Sequence, residues 1–340
     1  EAGIRLDLSS SGRGQQQTLL LLAYLYANSS TVLLLDEPDA HLEILRQRQI
    51  YQLLSEVAAE NGNQIIAASH SEVLLNEAAD RDVVIAFVGK PHRIDDRGSQ
   101  VLKALKEIGF EQYYQAEQTG WVLYVEGSTD LAILRAFAKL LGHQEAQEAL
   151  ARPFVHYVAD QPGSVLKHFH GVREALPGLR GIALFDQLDR QLPDDMNAGG
   201  LQGLTWRQRE IENYLCCRET LVAYAKATAR QQAVGPLFEE VEINRHTEAM
   251  NSAVAEVEQA MATLEKGSPW DPQTKVSDDF LTPVFRKYFD KLGQPNIMAK
   301  TNFHELAPFV PVSELDPEIG EKLDAIVQVA KAATPRDQST

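Results

Sequence analysis

Three short apolar runs in this chain end abruptly on acidic side chains. They are TVLLL before Asp36 and Glu37, VLYV before Glu126, and GIALF before Asp186. Helix-like segments lie between the runs, and regular strand–helix alternation predicts a parallel sheet with helices on its faces. Ligands bind at the carboxyl ends of such strands, so these acids are candidate functional groups in an α/β fold.

The predicted elements change in character along the chain. Strands are predicted at 31–35, 64–68, 83–88, 122–125, 154–158 and 181–185. Helices are predicted at 15–28, 41–60, 98–109, 128–141 and 165–176. Residues 194–203 are predicted to be a loop. Residues 219–266 and 316–333 are predicted to be helical, with a loop at 267–274 and an irregular segment at 296–311.

Length and composition narrow the class of protein. A chain of 340 residues favours two or three domains, and its adjacent Cys216 and Cys217 favour a reducing, cytoplasmic setting. We expect no membrane segment, and the missing initiator Met suggests a fragment. The net charge of −16 disfavours bulk attraction to nucleic acid, although carboxylates that hold divalent metals would contribute to this charge.

The amino-terminal motifs suit a nucleotide site. At the strand end, Asp36 could orient Mg²⁺ and Glu37 could polarise an attacking water, while His70 follows the next strand at the same sheet edge. Upstream, the loop in LSSSGRGQQQ opens a helix, which suits backbone contacts to phosphate. Each feature alone is better explained as a solvated strand end or turn, but their order and spacing favour a nucleotide site.

This first part resembles the ATP-binding-cassette (ABC) ATPase superfamily. The resemblance makes Ser11 and Gly12 part of the signature loop, 32–37 the Walker B strand, 38–42 the D-loop and His70 the switch histidine. The sequence contains no Gly-x-x-x-x-Gly-Lys-Ser/Thr phosphate loop. Residues 1–115 therefore look like a partial ATPase domain, and ATP is expected as a cofactor only of the full-length protein.

The second run leads into a compact acidic motif, Glu126-Gly-Ser-Thr-Asp130. The glycine permits a sharp turn, Ser128 or Thr129 could cap the following helix, and Asp130 could face back toward Glu126 from the first helical turn. Two converging acids repel each other unless a cation lies between them. Alternatively, Asp130 interacts only with the helix dipole and Glu126 is a solvated acid.

Further acids follow the third run. Asp186 ends the run with Asp189 close behind, and Glu210 and Glu212 flank Ile211. In an extended segment this alternation would point both glutamates to one face. Carboxylates from several strand ends suit Mg²⁺ or Mn²⁺, and two such ions can activate a water against a phosphodiester.

This combination resembles a Toprim domain, the metal-binding fold of topoisomerases, primases and several nucleases. Glu126 would be its invariant glutamate and Asp186 the first acid of its Asp-x-Asp motif. Leu188 occupies the position of the second acid, so Asp189 is retained as a possible ligand. A Toprim domain that follows a cassette ATPase resembles the OLD (overcoming lysogenization defect) family of nucleases.

The OLD resemblance implies an organisation and a partner. It implies a partial ATPase at 1–115, a Toprim nuclease domain at 120–217 and a mainly helical lobe at 218–340. DNA would be the substrate and the full-length protein would be a homodimer or higher oligomer. Glu126 would act in catalysis with two Mg²⁺ or Mn²⁺ ions, and Lys300 could neutralise charge in the transition state. On its motif alone, Lys300 is explained more simply as a solvated surface lysine.

Three other functions stay open from the sequence. The Toprim site could have decayed into a non-cleaving regulatory site, since Leu188 breaks the acid pair. The chain could belong to an ATP-gated DNA-maintenance protein that works by dimerising. Primer synthesis is a weaker option because no zinc motif accompanies the fold. Tyr124 and Tyr214 are predicted core residues, which disfavours a topoisomerase.

Overall fold

The computed structural model describes residues 12–40, 42–78, 81–87, 91–93, 109–233 and 235–335. These residues form two compact units, one ending at residue 115 and the other beginning at residue 116. Both units combine helices with parallel strands, so the predicted α/β class is confirmed. Among the described residues, no helix combines the length and the apolar character that crossing a membrane requires.

The first unit is built on a parallel pair of strands. Strand β1 (Val32–Asp36) pairs with β2 (Gln64–Ala68), which places Asp36 beside Ala68 at the carboxyl end. Leu33, Leu35 and Ile65 pack on a small buried core, which Leu25 of the first helix and Ile50, Leu54 and Val57 of the second form. The helices are α1 (Arg13–Ala27), α2 (Ile44–Glu60) and α3 (Glu72–Ala78).

Some predicted boundaries in this unit need correction. The strand predicted at 83–88 is only the short β3 (Ile85–Ala86), which pairs antiparallel with β4 (His92–Arg93). Residues 98–108 of the predicted helix 98–109 lie outside the described residues. Helix α4 (Phe110–Thr119), which we did not predict, begins after Gly109.

The second unit contains a four-stranded parallel sheet with the order β6–β5–β7–β8. The strands are β5 (Trp121–Val125), β6 (Val155–Tyr157), β7 (Arg180–Phe185) and β8 (Leu201–Thr205). Helices α5 (Ser128–Leu140), α6 (Gln144–Ala151) and α7 (Pro162–Ala175) connect its first three strands. From β5 the chain crosses to β6 on one side of it, and β7 and β8 then follow on the other side. A topological switch point therefore lies between β5 and β7.

The predicted loop at 194–203 was wrong. Residues Asp194–Asn197 form a 3₁₀ turn, and β8 then pairs with β7 from Gly181↔Leu201 to Phe185↔Thr205. Gly203 and Gln202 within β8 weaken the local strand signal. A Cβ at Gly203 would lie 3.1 Å from Cβ of Met196, so glycine permits the 3₁₀ turn to pack closely on this strand.

The carboxyl-terminal part of the second unit is helical, as predicted. Its α-helices are α8 (Arg218–Gln232), α9 (Pro236–Thr263), α10 (Thr282–Leu292) and α11 (Pro317–Ala332). Phe285, Tyr288, Phe289 and Leu292 recur at helical spacing and are buried, which fixes the face that α10 packs inward. The segment predicted to be irregular instead contains a 3₁₀ helix, Lys300–Phe309.

Two histidines, His156 on β6 and His168 on α7, are stacked beside Tyr124 of β5. The rings of His156 and His168 are parallel within 10° and 3.8 Å apart, and the Tyr124 hydroxyl lies 2.8 Å from Nδ1 of His168. Burial, with a smaller contribution from the charge of His156, lowers the pKa of His168 to about 3. The neutral imidazole is therefore the form that this packing favours.

Because of the stacked histidines, we expect the second unit to lose stability in mild acid. Because the pKa of His168 is lower in the folded than in the unfolded protein, the unfolded state binds more protons as the pH falls through 6.5. We expect wild type to lose about 1–2 kcal/mol more than His168→Gln between pH 7 and pH 5. Urea unfolding followed by tryptophan fluorescence measures this, since Trp121, Trp206 and Trp270 all lie in the second unit. Equal pH dependence in both proteins would contradict the prediction, and carboxylates common to both cancel in the comparison.

Candidate metal centre

Carboxylates that follow three adjacent strands of the four-stranded sheet converge at its switch point. Glu126 follows β5, Asp160 follows β6 and Asp186 follows β7. One oxygen from each of these three carboxylates lies within 4.8 Å of the others. The buried strand β5 fixes the register of the strands beside it, because Val122 to Val125 are at most 1% exposed and cannot shift without exposing core residues. Three hard oxygen ligands at this separation are a set that a divalent cation could bridge.

Asp160 was not among the predicted site residues. It lies beyond the end of a strand of only three residues, and its carboxylate accepts a hydrogen bond from the backbone N–H of Asp186. Burial, followed by the charge of Glu126, raises the pKa of Asp160. The sequence position of Asp160 could have identified it, because the segment HYVAD ends on an acid, as the runs before Glu126 and Asp186 do.

Asp130 faces back toward Glu126, as the sequence predicted. Its Oδ2 accepts the backbone N–H groups of Glu126 at 3.0 Å and Gly127 at 3.4 Å, so Asp130 caps the start of α5. The predicted capping by Ser128 or Thr129 was wrong, because Gly127 is the N-cap residue and Thr129 donates to Asp130 instead. Asp130 thus has a structural role, whether or not it also contacts a metal.

The electrostatics of the cluster favour a cation. Burial, reinforced by the charge of Glu126, raises the pKa of Asp130 to about 6. Burial raises the pKa of Asp186 well above its usual range, and the charges of Asp130, Glu212, Glu126 and Asp160 raise it further. Like charges that converge in this way either retain protons or are neutralised by a cation. The residues present therefore fit a divalent metal.

The two glutamates near Ile211 behave differently from the prediction. Glu210 is extended, but Ile211–Leu215 is a 3₁₀ turn, so the two side chains do not share one face of a strand. Burial and the charges of Glu210 and Asp130 raise the pKa of Glu212 to about 8. Both carboxylate oxygens of Glu210 instead accept hydrogen bonds from Ser277. Oε1 accepts from the backbone N–H of Ser277, and Oε2 accepts from the Ser277 hydroxyl. Glu212 is thus coupled to the acidic cluster, whereas Glu210 is occupied by hydrogen bonds.

Two further predicted residues lie at the margin of the cluster. Asp189 has a side chain 89% exposed and pairs with Nη1 of Arg209 at 3.4 Å, so it is not in the converging set. Lys300 begins the 3₁₀ helix, and its Nζ lies 3.3 Å from both carboxylate oxygens of Asp278. Burial raises the pKa of Glu210 and of Glu212, and the charge of Lys300 lowers both.

Two of the residues predicted to form a nucleotide site, Glu37 and His70, lie next to each other in the first unit. Nε2 of His70 lies 3.6 Å from Oε1 of Glu37, so these two residues share the sheet edge. Glu37 has a φ of 44°, a left-handed conformation that is costly for a residue other than glycine and is found at functional sites. Asp36 ends β1, and Gly12 is the N-cap of α1. Ser11 lies outside the described residues.

Comparison with known proteins supports an ATPase-like first part. Residues 1–76 match the family model of an AAA domain, whose description refers to the AbiEii toxin and a type IV toxin–antitoxin system. The amino-terminal part of the chain is thus similar to an AAA domain, which agrees with a partial ABC- or AAA-type ATPase. No curated protein matches the chain.

Proposed function

We propose that the second unit is a divalent-metal-dependent nuclease that hydrolyses DNA phosphodiester bonds. One observation carries the proposal: the carboxylate oxygens of Glu126, Asp160 and Asp186 lie within 4.8 Å of one another at the switch point of a parallel sheet. In this proposal the unit is a Toprim domain, and with the ATPase-like first part the protein is related to OLD nucleases. ATP, bound by the full-length oligomer, would control cutting.

The proposed mechanism assigns a task to each side chain. Glu126, Asp160 and Asp186 would hold Mg²⁺ or Mn²⁺, with Asp130 and Glu212 as neighbouring acids for a second ion. Bound metal would supply a water of lowered pKa and neutralise charge on the phosphate oxygens. Glu126 is exposed to solvent, so a scissile phosphate can approach the cluster from its side. Lys300 would offset negative charge as the leaving oxygen departs.

Cleavage of supercoiled plasmid tests this function. We expect nicking or linearisation with Mg²⁺ or Mn²⁺, none with EDTA, and loss of activity in Glu126→Ala because one of three converging ligands is removed. Glu148→Ala is the matched control, since Glu148 is an exposed carboxylate on α6 of the same unit. Agarose electrophoresis measures the outcome. Cleavage that survives Glu126→Ala would contradict the assigned site.

A specific observation favours a second candidate, a regulatory protein with a non-cleaving site. Leu188 replaces the second acid of the Toprim motif, and Asp189 turns to Arg209 rather than to the cluster. Calorimetric titration with Mn²⁺ separates the candidates. Micromolar binding without cleavage would favour the regulatory site, whereas binding with cleavage would exclude it.

A further inference from the structure

Two lysines of the second unit, Lys275 and Lys300, share one carboxylate, that of Asp278. Nζ of Lys275 lies 3.3 Å from Oδ2 of Asp278, and Nζ of Lys300 lies 3.3 Å from both oxygens of Asp278. All three side chains are about half exposed. The group therefore carries one positive charge more than its own carboxylate neutralises, and its ammonium hydrogens can reach a ligand from solvent.

The backbone that carries Lys275 is fixed to the metal-site segment. Glu210 is only 3% exposed, and Ser277 donates both its N–H and its hydroxyl to it. Nδ2 of Asn213 donates to the carbonyl of Thr274 at 2.9 Å, on the other side of Lys275. Ser277 also begins a π-helical turn, Ser277–Leu281, a feature frequent at functional sites. Lys275 is thus held between two anchored neighbours.

The charge of Lys275 interacts with acids of the metal-site segment. Partial burial lowers the pKa of Lys275, but its hydrogen bond to Asp278 and the charges of Glu210 and Glu126 raise it above its ordinary value. Lys275 also acts on Asp160, a member of the converging set. Lys275 is linked through Ser277 and Glu210 to the segment that carries Glu212, and its positively charged amine, like that of Lys300, suits a phosphate group.

We propose that Lys275 and Lys300 bind a backbone phosphate of the nucleic-acid strand, and that Glu210 positions Lys275 through Ser277. The proposal rests on the proposed function, because it names a contact to the substrate of that site. The phosphate would replace Asp278, whose exposed ion pairs contribute little stability and are readily exchanged. Glu210 is accordingly a positioning residue and not a metal ligand.

Equilibrium binding of a fluorescein-labelled 20-base-pair DNA duplex, followed by anisotropy in EDTA, tests the lysine pair without cleavage. We expect Lys275→Gln/Lys300→Gln to weaken binding about tenfold and to lower the slope of log affinity against log salt by about one. Lys287→Gln is the control, because Lys287 is similarly exposed but pairs with Glu256 on the helical lobe. Affinity and slope equal to wild type in the double variant would overturn the proposal.

A second measurement tests the positioning role and separates this proposal from the nuclease proposal. We expect Glu210→Gln, which keeps one acceptor for Ser277, to retain most DNA affinity, while Glu210→Ala loses as much as Lys275→Gln. Both variants remove a charge that acts on Glu212, so we expect their Mn²⁺ affinity by calorimetry to fall by no more than about 100-fold, the range of an outer-shell residue. Loss of all measurable Mn²⁺ binding in Glu210→Gln, well beyond the roughly 100-fold that an outer-shell residue contributes, would make Glu210 a ligand and overturn its positioning role. Failure of the nuclease proposal would instead appear as wild type that binds DNA through the lysines but neither binds Mn²⁺ nor cuts plasmid.

Discussion

Replacing Asp160 with asparagine should weaken Mn²⁺ binding by about 10- to 100-fold. Asp160 supplies one of the three converging carboxylates, and an amide offers a neutral oxygen in place of a charged one. The asparagine oxygen can still accept the N–H of Asp186, so the fold around the site should be retained. Isothermal titration calorimetry with Mn²⁺ at neutral pH measures the loss.

Asp189→Asn is the matched control for this experiment. Asp189 is also an aspartate near the end of a strand in the same sheet, but it pairs with Arg209 and is almost fully exposed. We expect its Mn²⁺ affinity to equal that of wild type. The reverse result, with Asp189→Asn weakened and Asp160→Asn unaffected, would show that Asp189 and not Asp160 contributes to the metal site.

The strand ends of this site were predictable because they follow from short-range patterns. A run of four apolar residues that ends on an acid, as before Glu126 and Asp186, reports both a buried strand and its solvent-facing end. The parallel arrangement then follows from the helices between the runs. Their position at strand ends therefore predicted Glu126 and Asp186 as site residues, although no distance between them was known.

The rest depended on contacts between residues far apart in sequence. The side chain of Glu210 is determined by Ser277, 67 residues later, and local alternation around Ile211 gave the wrong conformation. The same contact between Ser277 and Glu210 holds the backbone close to Lys275. Asp160 follows a strand too short for a periodic signal, and β8 is stabilised by pairing with β7 despite weak strand propensity.

Glu318→Ala should lower the free energy of unfolding of the second unit by about 3–5 kcal/mol. Glu318 is completely buried on α11 and accepts hydrogen bonds from the Tyr214 hydroxyl and from the backbone N–H of Arg207 at 3.1 Å. Nζ of Lys322 lies 2.8 Å from Oε1, and this lysine is only 8% exposed. Removing the carboxylate would leave a buried ammonium and a buried hydroxyl without their acceptor. Urea unfolding followed by tryptophan fluorescence measures the loss.

Glu321→Ala provides the control on the same helix. Glu321 pairs with Arg207 at an exposed position, with both side chains more than half exposed, and such pairs contribute at most about 1 kcal/mol. If Glu318→Ala cost no more than Glu321→Ala, the buried network would not stabilise the unit.

The network also has a consequence for the metal centre, because Arg207 and Tyr214 flank Glu210 and Glu212. Glu318→Gln, which keeps an acceptor for Tyr214, should therefore be less destabilised than Glu318→Ala and retain more of the wild-type Mn²⁺ affinity.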